Sequence, residues 1–136
     1  MAHTRLRPFN TRKTYPEQNL DNDLSQGVVA ANMIFLRGQV AQDLDTAENV
    51  ALGDPVGQTH RVMQNIQLLI EEAGGKMEHL AKLVVYLTDI RHREDVYRTM
   101  GEYIKGIHPA CTGLVVVALA RPEWLVEIDA TAVIDE

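Results

Sequence analysis

The chain has 136 residues, of which 46% are hydrophobic and 24% are charged, and its formal net charge is −6 at pH 7. This length suits one domain, and the composition is that of an ordinary globular protein. The acidic balance argues against a nucleic-acid-binding protein, because phosphate contacts require clustered Lys and Arg. The sequence has no stretch of about 18 apolar residues, so no membrane-spanning helix is expected.

The single cysteine, Cys111, excludes an intrachain disulfide and favours a reducing compartment. The first residues, Met1 to Arg5, have no apolar core and do not read as a secretory signal, so a cytoplasmic location is expected. The histidines show no metal-ligand spacing, and no glycine-rich phosphate loop opens a helix. Neither a metal nor another cofactor is therefore expected.

Residues 1–22 are polar and contain Pro8 and Pro16. They predict an extended arm with turns rather than a packed element, lying across the domain or across a neighbouring subunit. The basic residues of the first thirteen positions are typical of a solvated tail. Residues 23–136 are then expected to form the single domain.

Two short apolar runs follow the arm, over residues 25–29 and 33–40, and Ala31-Asn32 between them predicts a β-hairpin. A polar loop over residues 42–54 leads to a helix. Asp54 is its expected N-cap, since Pro55 suits the first helical position. Apolar residues at helical spacing continue as far as two glycines at 74 and 75, where the helix is expected to end.

The remainder of the chain predicts three further strands and a second helix. In chain order these are a strand over 80–87, a helix over 93–104 that ends before Gly106, a strand over 114–119, and a strand over 125–134. The last strand alternates apolar and polar residues, so Glu127, Asp129 and Thr131 share one face. The resulting order is β-β-α-β-α-β-β.

Two helices and one mainly antiparallel sheet indicate an α+β sandwich with both helices on one face of the sheet. The other face of a sheet so rich in Val, Leu and Ile is not expected to meet water. Self-association with closed symmetry would cover it.

Several short motifs occur in a fixed order from about Leu24 to Ile134, and none of them is specific alone. They are Gln26-Gly27-Val28, Arg37-Gly38-Gln39, Gln58 with Asn65, Thr88-Asp89, His108-Pro109-Ala110 and Val126-Glu127-Ile128. Together they resemble the RidA (YjgF) family of imine/enamine deaminases. The resemblance implies a chorismate-mutase-like fold with a mixed sheet, and homotrimers whose sheets close into a barrel with ligand clefts between subunits.

Two residues match catalytic or cleft positions of that family. Glu127 matches the glutamate that is thought to position the water that attacks a C=N bond, although the strand pattern is equally compatible with an outward-facing surface carboxylate. Gly38 matches the glycine whose backbone lines the cleft, because a missing Cβ lets a ligand approach closely. A bulge at the strand end, without a ligand, is the alternative for Gly38.

The chain departs from the family at Cys111, where RidA has the arginine that binds the substrate carboxylate. A thiol cannot form that bidentate pair, and removing one partner of a buried charge pair costs about 2–5 kcal/mol. Cys111 is either a small residue lining the cleft or a nucleophile. As a nucleophile, Cys111 would need a nearby base. His108 is three residues away in what is expected to be extended chain, so a contact between the two is not implied.

Arg37 stands where the RidA type has a small residue. It either supplies the missing positive charge from another wall of the cleft or forms a surface salt bridge with an acid such as Asp43 or Asp45. If it binds the ligand, Arg37→Ala weakens the affinity for an anion.

Three further cleft positions carry unusual residues: Leu24 replaces a family tyrosine, Tyr97 replaces an asparagine, and Thr112 offers a hydroxyl beside the thiol. The pocket is therefore expected to accept a ligand of different shape, as in the branches of the family that lack the arginine.

Three functions remain open. The first is hydrolytic deamination of a small reactive imine, enamine or related C=N metabolite. The second is a non-catalytic metabolite-binding or regulatory trimer that has lost the chemistry with the arginine. The third is a ribonuclease, a label that some relatives carry, and the acidic charge counts against it. The expected partners are a small molecule and further copies of the chain, and neither nucleic acid nor a membrane.

Overall fold

The computed structural model describes residues 3–135, which form eight strands and three α-helices. The strands are β1 (Thr4–Leu6), β2 (Phe9–Asn10), β3 (Asp23–Leu24), β4 (Gly27–Ala30), β5 (Met33–Gln39), β6 (Leu80–Leu87), β7 (Ala110–Val115) and β8 (Val126–Val133). The helices are α1 (Thr11–Thr14), α2 (Pro55–Glu72) and α3 (Arg93–Gly101), with 3₁₀ turns over Pro16–Gln18, Met77–His79 and Ile90–His92.

Six strands form the main sheet in the order β1-β4-β5-β8-β6-β7, and β2 pairs with β3 separately. Neighbours in the main sheet are antiparallel except β6 and β7, which are parallel because α3 connects them as a crossover. The predicted α+β class with a mixed sheet is confirmed, as is the hairpin of β4 and β5. Among residues 3–135, no helix is both long enough and apolar enough to cross a bilayer.

Helix α2 covers one face of the sheet, and its ends lie where the sequence places them. The Asp54 carboxylate accepts a hydrogen bond from the Gly57 N–H at 3.0 Å, Pro55 is the first helical residue, and Gly74 at φ +91° follows the last turn. The apolar side of α2 is fully buried against β5 and β8, and it includes Val62, Ile66 and Ile70.

The side chains of β8 alternate between the two faces of the sheet. Val126, Ile128, Ala130 and Ala132 are buried under the helices, and the residues between them are half-buried on the opposite, open face. Large apolar side chains are also exposed on other strands of the sheet: Phe35 of β5 is 42% exposed and Leu114 of β7 is 48% exposed. The open face therefore mixes apolar side chains with the polar side chains of β8.

The N-terminal arm lies across the domain, one of its two predicted locations, but it is packed there, so the prediction that it is not a packed element was wrong. Strand β1 pairs with β4 at the edge of the main sheet, and Leu6 is buried in the core. Thr11 and Tyr15 are buried further along the arm. The edge of β4 offers unpaired N–H and C=O groups, and the backbone of the arm satisfies them whatever its side chains are.

Strand β7 begins at Ala110 rather than at the predicted Leu114, and it ends at Val115 rather than at Leu119. Parallel pairing with β6 sets these limits, because Lys82 lies opposite Ala110 and Leu87 opposite Val115. Helix α3 likewise ends three residues earlier than predicted, at Gly101. His108 has φ +59°, so the chain before β7 turns instead of running extended.

Candidate functional site

The structure brings Glu127 and Gly38 into close contact. Strand β5 has an irregular register against β8 between Leu36 and Gln39, and Gly38 lies within this irregularity. A Cβ atom built on Gly38 would overlap the carboxylate of Glu127 and lie 2.7 Å from its Cδ atom. Glycine is therefore required at position 38 for the carboxylate to occupy this place, since real Cβ atoms do not come so near.

Burial raises the pKa of the Glu127 carboxyl, and the nearby negative charge of Asp129 raises it further, whereas the positive charge of Arg37 opposes both. The Tyr86 hydroxyl donates a hydrogen bond to Asp129 at 3.0 Å, and Tyr86 lies directly opposite Glu127 in the β6–β8 register. This hydrogen bond also raises the pKa of Tyr86. The carboxyl is thus partly shielded from water and beside a like charge, and both features make it a stronger base than an exposed carboxylate.

Arg37 is exposed at the end of β5, and its guanidinium carbon lies 5.1 Å from the centroid of the Phe9 ring. The suggested salt bridges with Asp43 and Asp45 do not form. Asp45 pairs with Arg7 at 3.1 Å, and the arginine that lies near the Asp43 carboxylate is Arg61 on α2, at 3.9 Å. The positive charge of Arg37 is near enough to Glu127 to oppose the rise in the pKa of that carboxyl.

Leu24 lies at the same end of the molecule. It is 44% exposed in β3, opposite Phe9 in β2, and together with Arg37 it lines a shallow pocket. Leu24, Arg37, Gly38 and Glu127 therefore belong to one region of a single chain.

Cys111 belongs to a different region. In the sheet register it lies opposite Leu83, a fully buried residue of the helix-covered face, whereas Glu127 lies on the open face. The thiol donates to the Tyr97 hydroxyl with an Sγ–O distance of 3.8 Å. Within one chain, Cys111 and Glu127 are on opposite faces of the sheet and do not meet.

Tyr97 is a residue of α3, and its hydroxyl lies against β7. The Arg93 guanidinium carbon lies 4.1 Å from the centroid of its ring, and a Cβ on Gly113 would overlap the hydroxyl. Burial is the main cause that raises the pKa of Tyr97. In the described part of the chain the thiol contacts this phenol and not His108, so His108 does not serve as its base.

Thr112 is on the open face, where its hydroxyl accepts a hydrogen bond from the Lys82 ammonium at 3.0 Å. The predicted site residues therefore fall into three places: the Glu127 region, the Cys111–Tyr97 pair and Thr112.

The sequence reasoning missed Arg93, Asp129 and Phe9. Asp129 had a usable signal, because it is two residues from Glu127 on the same face of a strand. Arg93 contacts Tyr97 one turn along the same helix, a local spacing that was not used, whereas Phe9 reaches Arg37 through packing between distant parts of the chain. In residues 3–135, no group of three His, Cys, Asp or Glu side chains is placed to hold a metal ion.

Comparison with known proteins agrees with this architecture. The chain matches the family described as endoribonuclease L-PSP over residues 17–134. A RutC family protein of Pyrococcus abyssi is 34% identical over 108 residues, which cover 79% of this chain and 84% of the relative. Protein DfrA of Myxococcus xanthus is 39% identical over 106 residues, covering 78% and 79%.

Solved structures give the same result. The Rid-family protein YyfA of Yersinia pestis is 30% identical with a TM-score of 0.75, covering 81% of this chain and 86% of that one. A YjgF-family member from Mycobacterium tuberculosis shares the fold at 20% identity, with a TM-score of 0.79 over 98% of this chain and 100% of that one. The chain therefore belongs to the endoribonuclease L-PSP family, whose members are also named RutC, YjgF and RidA proteins. The resemblance found in the sequence is confirmed.

Proposed function

We propose that the protein hydrolyses a small reactive imine, enamine or related C=N metabolite to a carbonyl compound and ammonia. The observation that carries this proposal is the Glu127 carboxyl, which occupies the space left by the missing Cβ of Gly38 and has a raised pKa. In the reaction, Glu127 accepts a proton from water as the water oxygen bonds to the C=N carbon, and it returns this proton to nitrogen to give a carbinolamine. The proton of the carbinolamine hydroxyl then passes through Glu127 to nitrogen, so that the C–N bond breaks, the C=O bond forms and ammonia leaves.

The raised pKa favours Glu127 as this proton carrier. An exposed carboxylate is a weak base near neutral pH, and a raised pKa makes Glu127 a stronger base toward the attacking water. Because Gly38 has no Cβ, the carboxylate has room at this end of β5.

Arg37 replaces the family arginine as the positive charge for an acidic substrate in this proposal. It lies at the same end of the sheet as Glu127, whereas Cys111 is on the other face. Cys111, Tyr97, Thr112 and Leu24 are proposed as lining residues, and Cys111 is not assigned as a nucleophile.

A homotrimer is part of the proposal. Cys111 and Glu127 of one chain are on opposite faces of the sheet, so they share a cleft only if different copies contribute them. The exposed Phe35 and Leu114 on the open face give self-association an apolar surface to bury. The unpaired Cys111 favours a reducing, cytoplasmic setting for this assembly.

A non-catalytic metabolite-binding or regulatory trimer is the second candidate, and Cys111 in place of the arginine favours it. A simple 2-imino acid loses its bidentate partner at that position. The endoribonuclease activity in the family's description has less support, because the chain has a net charge of −6.

The test is ammonia release from freshly generated 2-iminopropionate by the wild type, Glu127→Gln and Cys111→Arg. The proposal expects an active wild type and a loss of about 10²–10⁴-fold in Glu127→Gln, the range associated with removal of a general acid–base group. A wild type that binds small acids saturably but is inert, and stays inert as Cys111→Arg, supports the second candidate. Light scattering of the purified protein tests the trimer, and a monomer at micromolar concentration contradicts it.

A further inference from the structure

A cavity of about 380 Å³ lies between the N-terminal arm, the end of β5 and the loop of residues 42–47. We refer to it as the arm cavity. Its volume is within the range of about 300–1,000 Å³ that is typical of small-molecule pockets. Gly38, which lies beside the Glu127 carboxylate, is one of its lining residues, whereas Glu127 itself is not. The arm cavity is lined by residues of a single chain.

The arm that forms one wall is anchored by polar contacts. The Arg7 guanidinium donates hydrogen bonds to Glu72 on α2, the shortest at 2.6 Å, and to Asp45 at 3.1 Å. The buried Tyr15 hydroxyl donates to the Gln42 side-chain oxygen at 3.1 Å. This wall is consequently in place before any ligand arrives, which lowers the entropic cost of binding.

Both carboxylates that line the arm cavity already have positive partners. Asp45 is paired with Arg7 at 3.1 Å. Asp43 lies 3.9 Å from Arg61, and hydrogen bonds from backbone N–H groups of its own loop hold its pKa below the usual range. These acids are therefore engaged with the protein itself.

Two cations of the lining, Lys13 and Arg37, are differently placed. Within residues 3–135, no carboxylate oxygen lies within 4.0 Å of either charge. Arg37 is held over the ring of Phe9, which also packs edge-to-face on Tyr15 with ring centroids 6.2 Å apart. The arm cavity thus presents positive charge beside an aromatic wall.

We infer that the arm cavity binds a small organic acid whose carboxylate contacts Arg37 and Lys13 and whose aromatic or bulky apolar body packs on Phe9. Because Asp43 and Asp45 have other positive partners, the two cations are available to bind an anion. The aromatic ring beside them favours a ligand with an apolar body over a compact polar one. Glu127 is not among the residues that line the arm cavity, so the inference concerns a binding site for such an acid and does not rest on the proposed function.

The experiment is isothermal titration calorimetry with phenylpyruvate, a stable 2-oxo acid that contains no nitrogen to release. Pyruvate lacks the ring and phenylacetone lacks the carboxylate, so each probe removes one half of the expected recognition. The variants are Arg37→Ala, Lys13→Ala and Phe9→Leu, the last keeping an apolar side chain on the arm. Arg98→Ala, a surface arginine on α3 that pairs with Asp95, is the matched control.

The expected result is that phenylpyruvate binds more tightly than either partial probe. Arg37→Ala should weaken it about tenfold or more, Lys13→Ala and Phe9→Leu severalfold, and Arg98→Ala not at all. Absence of binding by the wild type at millimolar phenylpyruvate overturns the inference, as does wild-type affinity in both Arg37→Ala and Lys13→Ala. Circular dichroism of each variant checks that it is folded.

The result can be separated from the proposed function because the probe is not a substrate. Arg37-dependent binding without ammonia release from any imine rejects only the hydrolysis. Ammonia release from 2-iminopropionate without Arg37-dependent binding of phenylpyruvate rejects only the arm cavity as the site of the acid.

Discussion

The surroundings of Glu127 and Cys111 differ in how they are built. Glu127 is on β8, a central strand paired on both sides, and its carboxyl is packed against Gly38. Cys111 is exposed on β7, an edge strand that pairs only with β6. The proposed proton-transfer group is therefore placed by strands of one chain, whereas the position of the family arginine is at an open edge of the sheet, which a second copy would complete in the proposed trimer.

Gly38→Ala should have the largest effect on the Glu127 region, and it should lower the rate of the proposed reaction. The added Cβ overlaps the Glu127 carboxylate, so the carboxylate must move, and a displacement near 1 Å costs about 10²-fold in rate. The free energy of unfolding should change little, since the displaced group is the end of a flexible side chain. Ammonia release and urea denaturation measure the two effects.

Gly101→Ala is the matched control for that variant. Among residues 3–135, apart from the chain neighbours and the backbone of the helix itself, no atom lies within 4 Å of a Cβ at position 101 at the end of α3. The substitution should therefore stabilise the protein by about 0.5–1 kcal/mol without a change in rate. Full activity in Gly38→Ala would show that the close contact does not position Glu127.

Asp129→Asn should change the pH dependence of the proposed reaction. Glu127 must be deprotonated to accept a proton, and the charge of Asp129 raises its pKa. Removing that charge lowers the pKa of Glu127, so the acidic limb of the kcat/KM profile should move to lower pH. Asp95→Asn, an exposed acid on α3, should leave the profile unchanged, and an unmoved limb in Asp129→Asn contradicts the coupling of the two carboxyls.

Cys111→Ser should have the smallest effect. The thiol contacts the Tyr97 hydroxyl, and a serine hydroxyl can occupy the same place. Substitutions at exposed positions generally change the free energy of unfolding by less than about 0.5 kcal/mol. We expect an equally small effect on the reaction barrier, so ammonia release should stay within about twofold of wild type. A loss of several hundredfold would instead identify Cys111 as a nucleophile.

The parts of the fold that the sequence predicted well are those with local causes. Asp54, Pro55 and the glycines after α2 define that helix within the chain segment itself. The alternation in β8 correctly placed Glu127 and Asp129 on one face. The start of β7 and the pairing of β1 were missed, because strand limits depend on a distant partner strand whose backbone no local pattern describes.

The candidate site divides in the same way. The identities of Glu127, Gly38 and Arg37 followed from motifs in the sequence. The contact between Gly38 and Glu127 required the register of β5 against β8, and the stacking of Arg37 on Phe9 required the arm to fold back onto the sheet.

By itself, the sequence determined the α+β class, the family and the residues able to handle a proton or an anion, since residue types and short-range periodicity carry that information. Only the tertiary structure decided that Cys111 and Glu127 face opposite ways, that Asp43 and Asp45 are engaged by arginines other than Arg37, and that the arm encloses a cavity. These depend on contacts between residues far apart in the chain, where packing and charge pairing act among whole elements.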